Sequence, residues 1–224
     1  MKLWIKLSRS KNKGFSLPSL MVGMLVSLVV ILSAMTLYKH SVMSSASSTL
    51  ASTRSGSAES SLLSTLGKLQ QAGFGITYVN SATITSNLIV LSNASITGTT
   101  LSGTAQTVPT ASGTTATGNA IIFGWQNPTT SAYSCMGYLF QNNQYIALTA
   151  SSCSSAASWS SVSWTQMQMV GAGMSNTSNF TVSYTACSPF GFTTTTSAPI
   201  ATLNMIYNDT YTKSINGTVC MLNL

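Results

Sequence analysis

Side chains able to do chemistry are scarce in this 224-residue chain: one histidine (His40), two carboxylates (Glu59 and Asp209) and four cysteines (Cys135, Cys153, Cys187, Cys220). Hydrolytic mechanisms need paired carboxylates, or a nucleophile with a base and a group that orients it. One imidazole and two acids far apart in sequence do not supply either arrangement. Serine is so abundant that no single serine is informative, and neither a glycine-rich phosphate loop nor a cluster of metal ligands is present. The expectation is a protein that is not an enzyme, with no cofactor, no metal and no small-molecule substrate. His40 reads as an exposed residue, and Glu59 as a solvated charge paired locally with Arg54 or Lys68. The cysteines number four, lie in the last 90 residues and form no C-x-x-C pair. An even count in an exported, loop-rich domain favours two disulfides in an oxidising compartment over zinc. Three connectivities are open; the sequential one, Cys135 with Cys153 and Cys187 with Cys220, is expected because it needs no crossing of loops.

Charge narrows the partners. Only 5% of residues are charged, against about 25% in ordinary soluble domains. The formal charge is +7, but Lys2, Lys6, Arg9, Lys11 and Lys13 sit in the first thirteen residues. After Gly14 there remain Lys39, Arg54, Lys68 and Lys213 against Glu59 and Asp209, four minus two, or +2. Scattered charges of this kind do not build the basic stripe that phosphate binding needs, so nucleic acid is disfavoured as a partner. Trp125, Trp159 and Trp164 read as core or rim of a domain rather than as a stacking platform for bases. The basicity belongs to targeting.

The elements that must carry these residues begin with Phe15–Tyr38, 24 residues without a charge. At ~1.5 Å per residue a helix of that length spans the ~30 Å core of a bilayer. It exceeds the roughly 7–15 apolar residues of a secretory signal, and Lys39 and His40 follow it where a small-x-small cleavage site would stand. It should therefore stay on the mature chain, with the basic flank cytoplasmic and the remainder exported. No proline occurs between Pro18 and Pro109, and apolar residues recur at Met43, Ala46, Leu50, Leu62, Leu66 and Leu69. The spacing predicts an amphipathic continuation stopped by Gly73 and Gly75, giving one helix over about 15–73.

From 74 to 224 the pattern turns to period two. Residues 76–91 read as one or two strands, 92–119 as a flexible, exposed Ser/Thr-rich loop, and 120–126 as a strand. A hairpin turning at Asn142-Asn143 is expected over 135–148, and strands at 161–170 and 179–187. Turns at Asn208-Asp209 and Asn216-Gly217 should separate three short final strands. With no βαβ alternation the sheet should be antiparallel, and the class α+β: a long N-terminal helix on an antiparallel β-sheet head.

The stretch "KGFSLPSLMVG" resembles the class III signal of prepilins, the precursors of type IV pilins and of the related type II secretion pseudopilins. "GFSLPSL", "LQQAGFG" and the ending "GTVCMLNL" are similar to PilW-type minor pilins. The resemblance implies a leader over 1–14. Prepilin peptidase would cut between Gly14 and Phe15, and Phe15 would carry an N-methylated amine. It implies a single-pass protein of the bacterial inner membrane, head exported, that packs its N-terminal helix against other pilin subunits in a filament at the cell surface. Where most of that family has Glu at the fifth mature position, this chain has Ser19. That carboxylate is thought to pair with the terminal ammonium of a neighbouring subunit, and a serine hydroxyl offers only a hydrogen bond. The departure suggests an initiating or tip position. Two other readings stay open: an adhesive or DNA-binding tip pilin using the 92–119 segment, and a type II secretion pseudopilin.

Overall fold

The computed structural model describes residues 16–76, 83–150, 152–188, 197–208 and 212–224. Its first element is a single helix, α1, Leu17–Leu69, 53 residues long. Ser16 stands at its start, its carbonyl accepting from the amides of Ser19 and Leu20 at 2.9 and 3.3 Å. Pro18 falls in the first turn, where a missing N–H removes no helical bond. At the other end, Lys68 lies in the last turn, where a cation suits the helix dipole. Gly73 and Gly75 then take φ of +78° and +75°, the left-handed conformation that a side chain disfavours. Helix and stop follow the sequence expectation to within a few residues.

The chain divides into two units, Met1–Leu50 and Ala51–Leu224. In the first, the described helix residues are exposed throughout. In the second, α1 buries Ala58, Ser61, Leu62, Thr65 and Leu69 while Leu63 stays exposed, a stripe at the three-to-four spacing of one helix face. The apolar continuation is thus buried only in part. Leu62 and Leu69 are core and Leu66 packs against it, whereas Met43, Ala46 and Leu50 are exposed.

The β portion is two antiparallel sheets rather than one. After a single helical turn, α2 (Ile84–Asn87), come β1 (Leu88–Thr97), β2 (Thr100–Gln106), β3 (Thr115–Gly118), β4 (Ala120–Gln126), β5 (Tyr133–Gln141), β6 (Gln144–Ala150), β7 (Trp164–Val170), β8 (Asn179–Ala186), β9 (Ser197–Asn208) and β10 (Thr212–Cys220). One sheet has the order β2-β1-β4-β5-β6-β7, the other β10-β9-β8-β3. The 120–126 strand and the Asn142-Asn143 hairpin are found as expected; both asparagines have positive φ, +51° and +59°.

Three expectations are corrected. The 92–119 segment is largely strand, contributing most of β1, all of β2 and β3. Threonine and serine suit a half-exposed pleated surface, and their hydroxyls bond across it, as Ser95 and Ser102 do at 2.9 Å. Asn216-Gly217 is no turn; both lie inside β10, opposite Asn204 and Leu203. The glycine is there for packing, because a Cβ on Gly217 would fall within 2.6 Å of Leu66 Cδ1 and 2.9 Å of Leu62 Cδ1. Of the 76–91 stretch, 84–87 is helical and the strand starts at Leu88; Thr77–Ala82 lie outside the described residues, as does Asp209 of the other expected turn.

Two cores result. The larger joins Leu62 and Leu69 of α1 to the inner faces of both sheets, including Val90, Ile121, Val182 and Leu203. Through it runs a file of rings, Phe123, Tyr138, Tyr145, Phe140 and Phe180, with successive centroids 6.3, 5.7, 4.8 and 5.1 Å apart; such contacts add ~0.5–1.5 kcal/mol each beyond burial. Thr65 connects the helix to this file. Its hydroxyl donates to the Ser61 carbonyl at 2.8 Å and lies 2.6 Å from the Tyr145 hydroxyl. With the threonine proton so used, Tyr145 is the donor of that bond. Burial pushes the Tyr145 phenol well above its usual range, so it stays a protonated donor. The second core covers the other face of the six-stranded sheet with Leu91, Ile122, Leu139, Leu148 and Trp164, which is why β4 is apolar at consecutive positions rather than alternating.

Candidate functional site

Of the residues expected to act, Gly14 and Phe15 lie outside the described residues. Ser19 sits in the first turn of α1 and is exposed, and that turn contains no acidic residue. Beyond it, the large apolar side chains from Leu17 to Tyr38 are 55–80% exposed. They point in every direction around the helix rather than along one stripe, a pattern that suits apolar surroundings on all sides. The polar residues within the run are adapted to such surroundings. Ser27 donates to Met24 O, Ser33 to Val29 O and Thr36 to Ser33 O, all at 2.8–2.9 Å, so each hydroxyl proton is satisfied inside the helix. The segment is long and apolar enough to cross a membrane.

The four cysteines form two disulfides, Cys135–Cys153 and Cys187–Cys220, with Cα separations of 5.8 and 6.0 Å. The first ties β5 to the segment leading into a 3-10 turn at Ala156–Ser158, which closes over the second core. Ser155 fastens the same segment by donating to Ser86 O at 2.7 Å, and Trp164 Nε1 donates to Trp159 O at 2.8 Å. The second links the ends of β8 and β10, the two strands that flank β9.

No catalytic constellation forms among the described residues. No three His, Cys, Asp or Glu side chains gather where a metal could bind. His40 is exposed on α1. Glu59 pairs neither with Arg54 nor with Lys68 but lies 3.8 Å from Lys213 of β10. Both partners are more than half exposed, which limits the pair to ~0–1 kcal/mol. The tyrosines with displaced pKa values, Tyr133, Tyr138 and Tyr145, are all raised, first by burial; none is activated as a base or nucleophile.

Clefts open among the described residues of the second unit. One, of about 450 Å³, runs between the β5–β6 hairpin and the start of β8 and includes Asn119, Gln141, Asn142 and Asn176. Its deeper amides are already engaged. Asn119 bonds Ala94 N, Ala94 O and Phe140 O, and Gln141 bonds Ile96 N and O. They bond β1 beyond Leu91, where its pairing with β4 ends, at and just after the bulge between Ser92 and Ser95. Another cleft, of about 390 Å³, is lined by Gln71, Phe74, Trp125, Gln126, Asn127 and Pro128. Sequence reasoning passed over it. Phe74 stood within the "QQAGFG" stop signal and Trp125 at the end of a core strand, and only folding brings the two together. No protein-family model, no curated protein and no solved structure matches this chain.

Proposed function

We propose that this chain is a pilin-type filament subunit, most similar to a PilW-type minor pilin of a type IV pilus. In this reading prepilin peptidase removes residues 1–14 and methylates Phe15, the apolar part of α1 holds the precursor in the inner membrane, and the same surface later packs against the helices of neighbouring subunits. The observation that carries it is the single unbroken helix of 53 residues whose N-terminal part is apolar on every side. An anchor alone needs about 20 residues. A helix that continues without a break into a β head, directly behind a basic leader and a Gly-Phe junction, serves both anchoring and assembly.

The decisive experiment replaces Gly14 by Leu and follows chain length and the N-terminal residue by mass spectrometry. The expected result is an uncut precursor, with the unsubstituted chain beginning at N-methylated Phe15; a mature-length Gly14→Leu product removes the reading. Ser19 adds a position within the filament. Without a carboxylate there, the electrostatic attraction to a neighbour's terminal ammonium is lost, which supports an initiating or tip position in this reading. Ser19→Glu should then spread the protein along filaments. An unchanged distribution would leave the tip placement without support.

A further inference from the structure

The cleft at Gln71, Phe74, Trp125, Gln126, Asn127 and Pro128 is built from two backbone segments locked together. Gly73 N donates to Gly124 O and Gln126 N to Phe74 O, both at 2.8 Å. A Cβ on Gly75 would collide with the Gln126 carbonyl, so the turn after α1 can lie this close to β4 only with glycine there. On the opposite side the 127–132 loop closes on itself. Asn127 N donates to Ala132 O at 2.9 Å and Ser131 N to Asn127 O at 2.8 Å, while Asn127 Oδ1 accepts from Thr129 N at 2.9 Å and Thr130 N at 3.4 Å. Trp125 packs against the larger core and lies 6.3 Å from Phe123, centroid to centroid. The walls are therefore fixed before any ligand arrives, which lowers the ordering cost of binding.

The chemistry of the lining is specific. Phe74 is 50% exposed despite its size, and Trp125 presents a second ring. Around them stand polar groups with no partner among the described residues: the Trp125 indole N–H, the Gln71 amide, Gln126 Oε1 and Asn127 Nδ2. The orientation of the last two amides follows from their bonded ends, since Gln126 Nε2 donates to Ser131 O at 2.8 Å and Asn127 Oδ1 is an acceptor. None of the six residues carries a charge, which argues against phosphate or carboxylate ligands. A proline-rich peptide would offer carbonyl acceptors and leave Gln126 Oε1 unmatched. A sugar ring matches both features, with polarised C–H groups for the negative faces of the rings and hydroxyls that donate and accept around the rim. The volume lies in the lower part of the ~300–1,000 Å³ range of small-ligand sites.

We infer that this cleft is a binding site for a neutral saccharide, held by Phe74 and Trp125 and oriented by Gln71, Gln126 and Asn127, with no chemistry performed on it. The inference does not rest on the filament reading; a chain that is processed at Gly14-Phe15 but binds no sugar removes this inference alone.

The test is saturation-transfer NMR on the full chain in a detergent without a sugar headgroup, using methyl glycosides of glucose, galactose, mannose and N-acetylglucosamine, with decaproline as a competing probe. At least one glycoside should show saturable transfer strongest at its C–H protons. Phe74→Ala should weaken that binding about tenfold and Asn127→Ala several-fold, with thermal unfolding of the half-exposed Phe74→Ala variant unchanged. The inference is overturned if none of the four glycosides binds, if binding is the same in Phe74→Ala and Asn127→Ala, or if decaproline binds here and the glycosides do not.

Discussion

Residues 16–50 and the described residues from Ala51 on are both poor in charge, yet they handle polar groups in opposite ways. In the first, each backbone group beyond the opening turn is satisfied within one helix, serine and threonine protons bond back to carbonyls three or four residues earlier, and the apolar side chains face outward. In the second, apolar side chains turn inward to two cores, and a neutral polar face of hydroxyls and amides turns outward. On β3, β8, β9 and β10 the register aligns Thr117, Thr181, Thr202 and Thr218 in one row, with hydroxyl contacts of 3.2 Å between the first two and 3.4 Å between the last two. The next row toward the start of β8 is Asn179, Asn204 and Asn216. The lesson is that low charge carries two different meanings along one chain. Over the apolar run from Leu17 to Tyr38 it suits apolar surroundings; from Ala51 on it marks a surface that meets water through neutral hydrogen-bonding groups.

That contrast can be broken experimentally. The largest effect is expected at the disulfides, which serve only the second unit. Cys187→Ser with Cys220→Ser should lower its unfolding free energy by ~2–5 kcal/mol, read from denaturant curves, while membrane association of the full chain is unchanged. Intact disulfide-free protein of equal stability would show that the two cores suffice without the bonds. Next comes a charge placed in each unit in turn. Val26→Lys should disfavour insertion by ~2.5–3.5 kcal/mol, seen as protein released by alkaline carbonate extraction. Thr117→Lys, on the exposed row, should shift stability by no more than ~0.5 kcal/mol. Equal tolerance at both positions would erase the distinction between the units.

A smaller loss than at the disulfides or at Val26 is expected for the hydrogen bond from α1 to the ring file. Thr65→Val keeps the shape but leaves the buried Tyr145 hydroxyl without its acceptor, at a cost of ~1–3 kcal/mol. The Tyr145 phenol is raised above its unfolded value by burial, so the folded state favours the protonated form. Its contribution is complete below an unfolded pKa of ~10 and declines as pH rises above that. Unfolding followed from neutral to alkaline pH should show this loss setting in only above about pH 10; a decline beginning near neutrality would assign it to another group.

How much could be read in advance differs from element to element. The Asn142-Asn143 hairpin was legible because those residues tolerate positive φ and sat between two apolar runs. The strandedness of 92–119 was not, since Ser, Thr and Gly composition is shared by loops and by exposed strands, and only the pairing of β1 with β2 and of β3 with β8 distinguishes them. Asn216-Gly217 misled for a related reason. Locally it is a turn dipeptide, but here the glycine clears space for Leu62 and Leu66 from α1, some 150 residues earlier. Glu59 has near neighbours of opposite charge in sequence, and still its partner is Lys213 on a strand.

The sequence by itself determined the long helix, its apolar first part, the stop at Gly73 and Gly75, the α+β class and the antiparallel habit of the strands. These depend on periodicity, on the absence of proline and on glycine conformations, all local properties of the chain. Only the tertiary structure decided that the strands form two sheets with two cores, which face of α1 is buried, and that Phe74 and Trp125 share one cleft. Those facts depend on contacts between residues far apart in the chain, where shape and register select among partners that are locally equivalent.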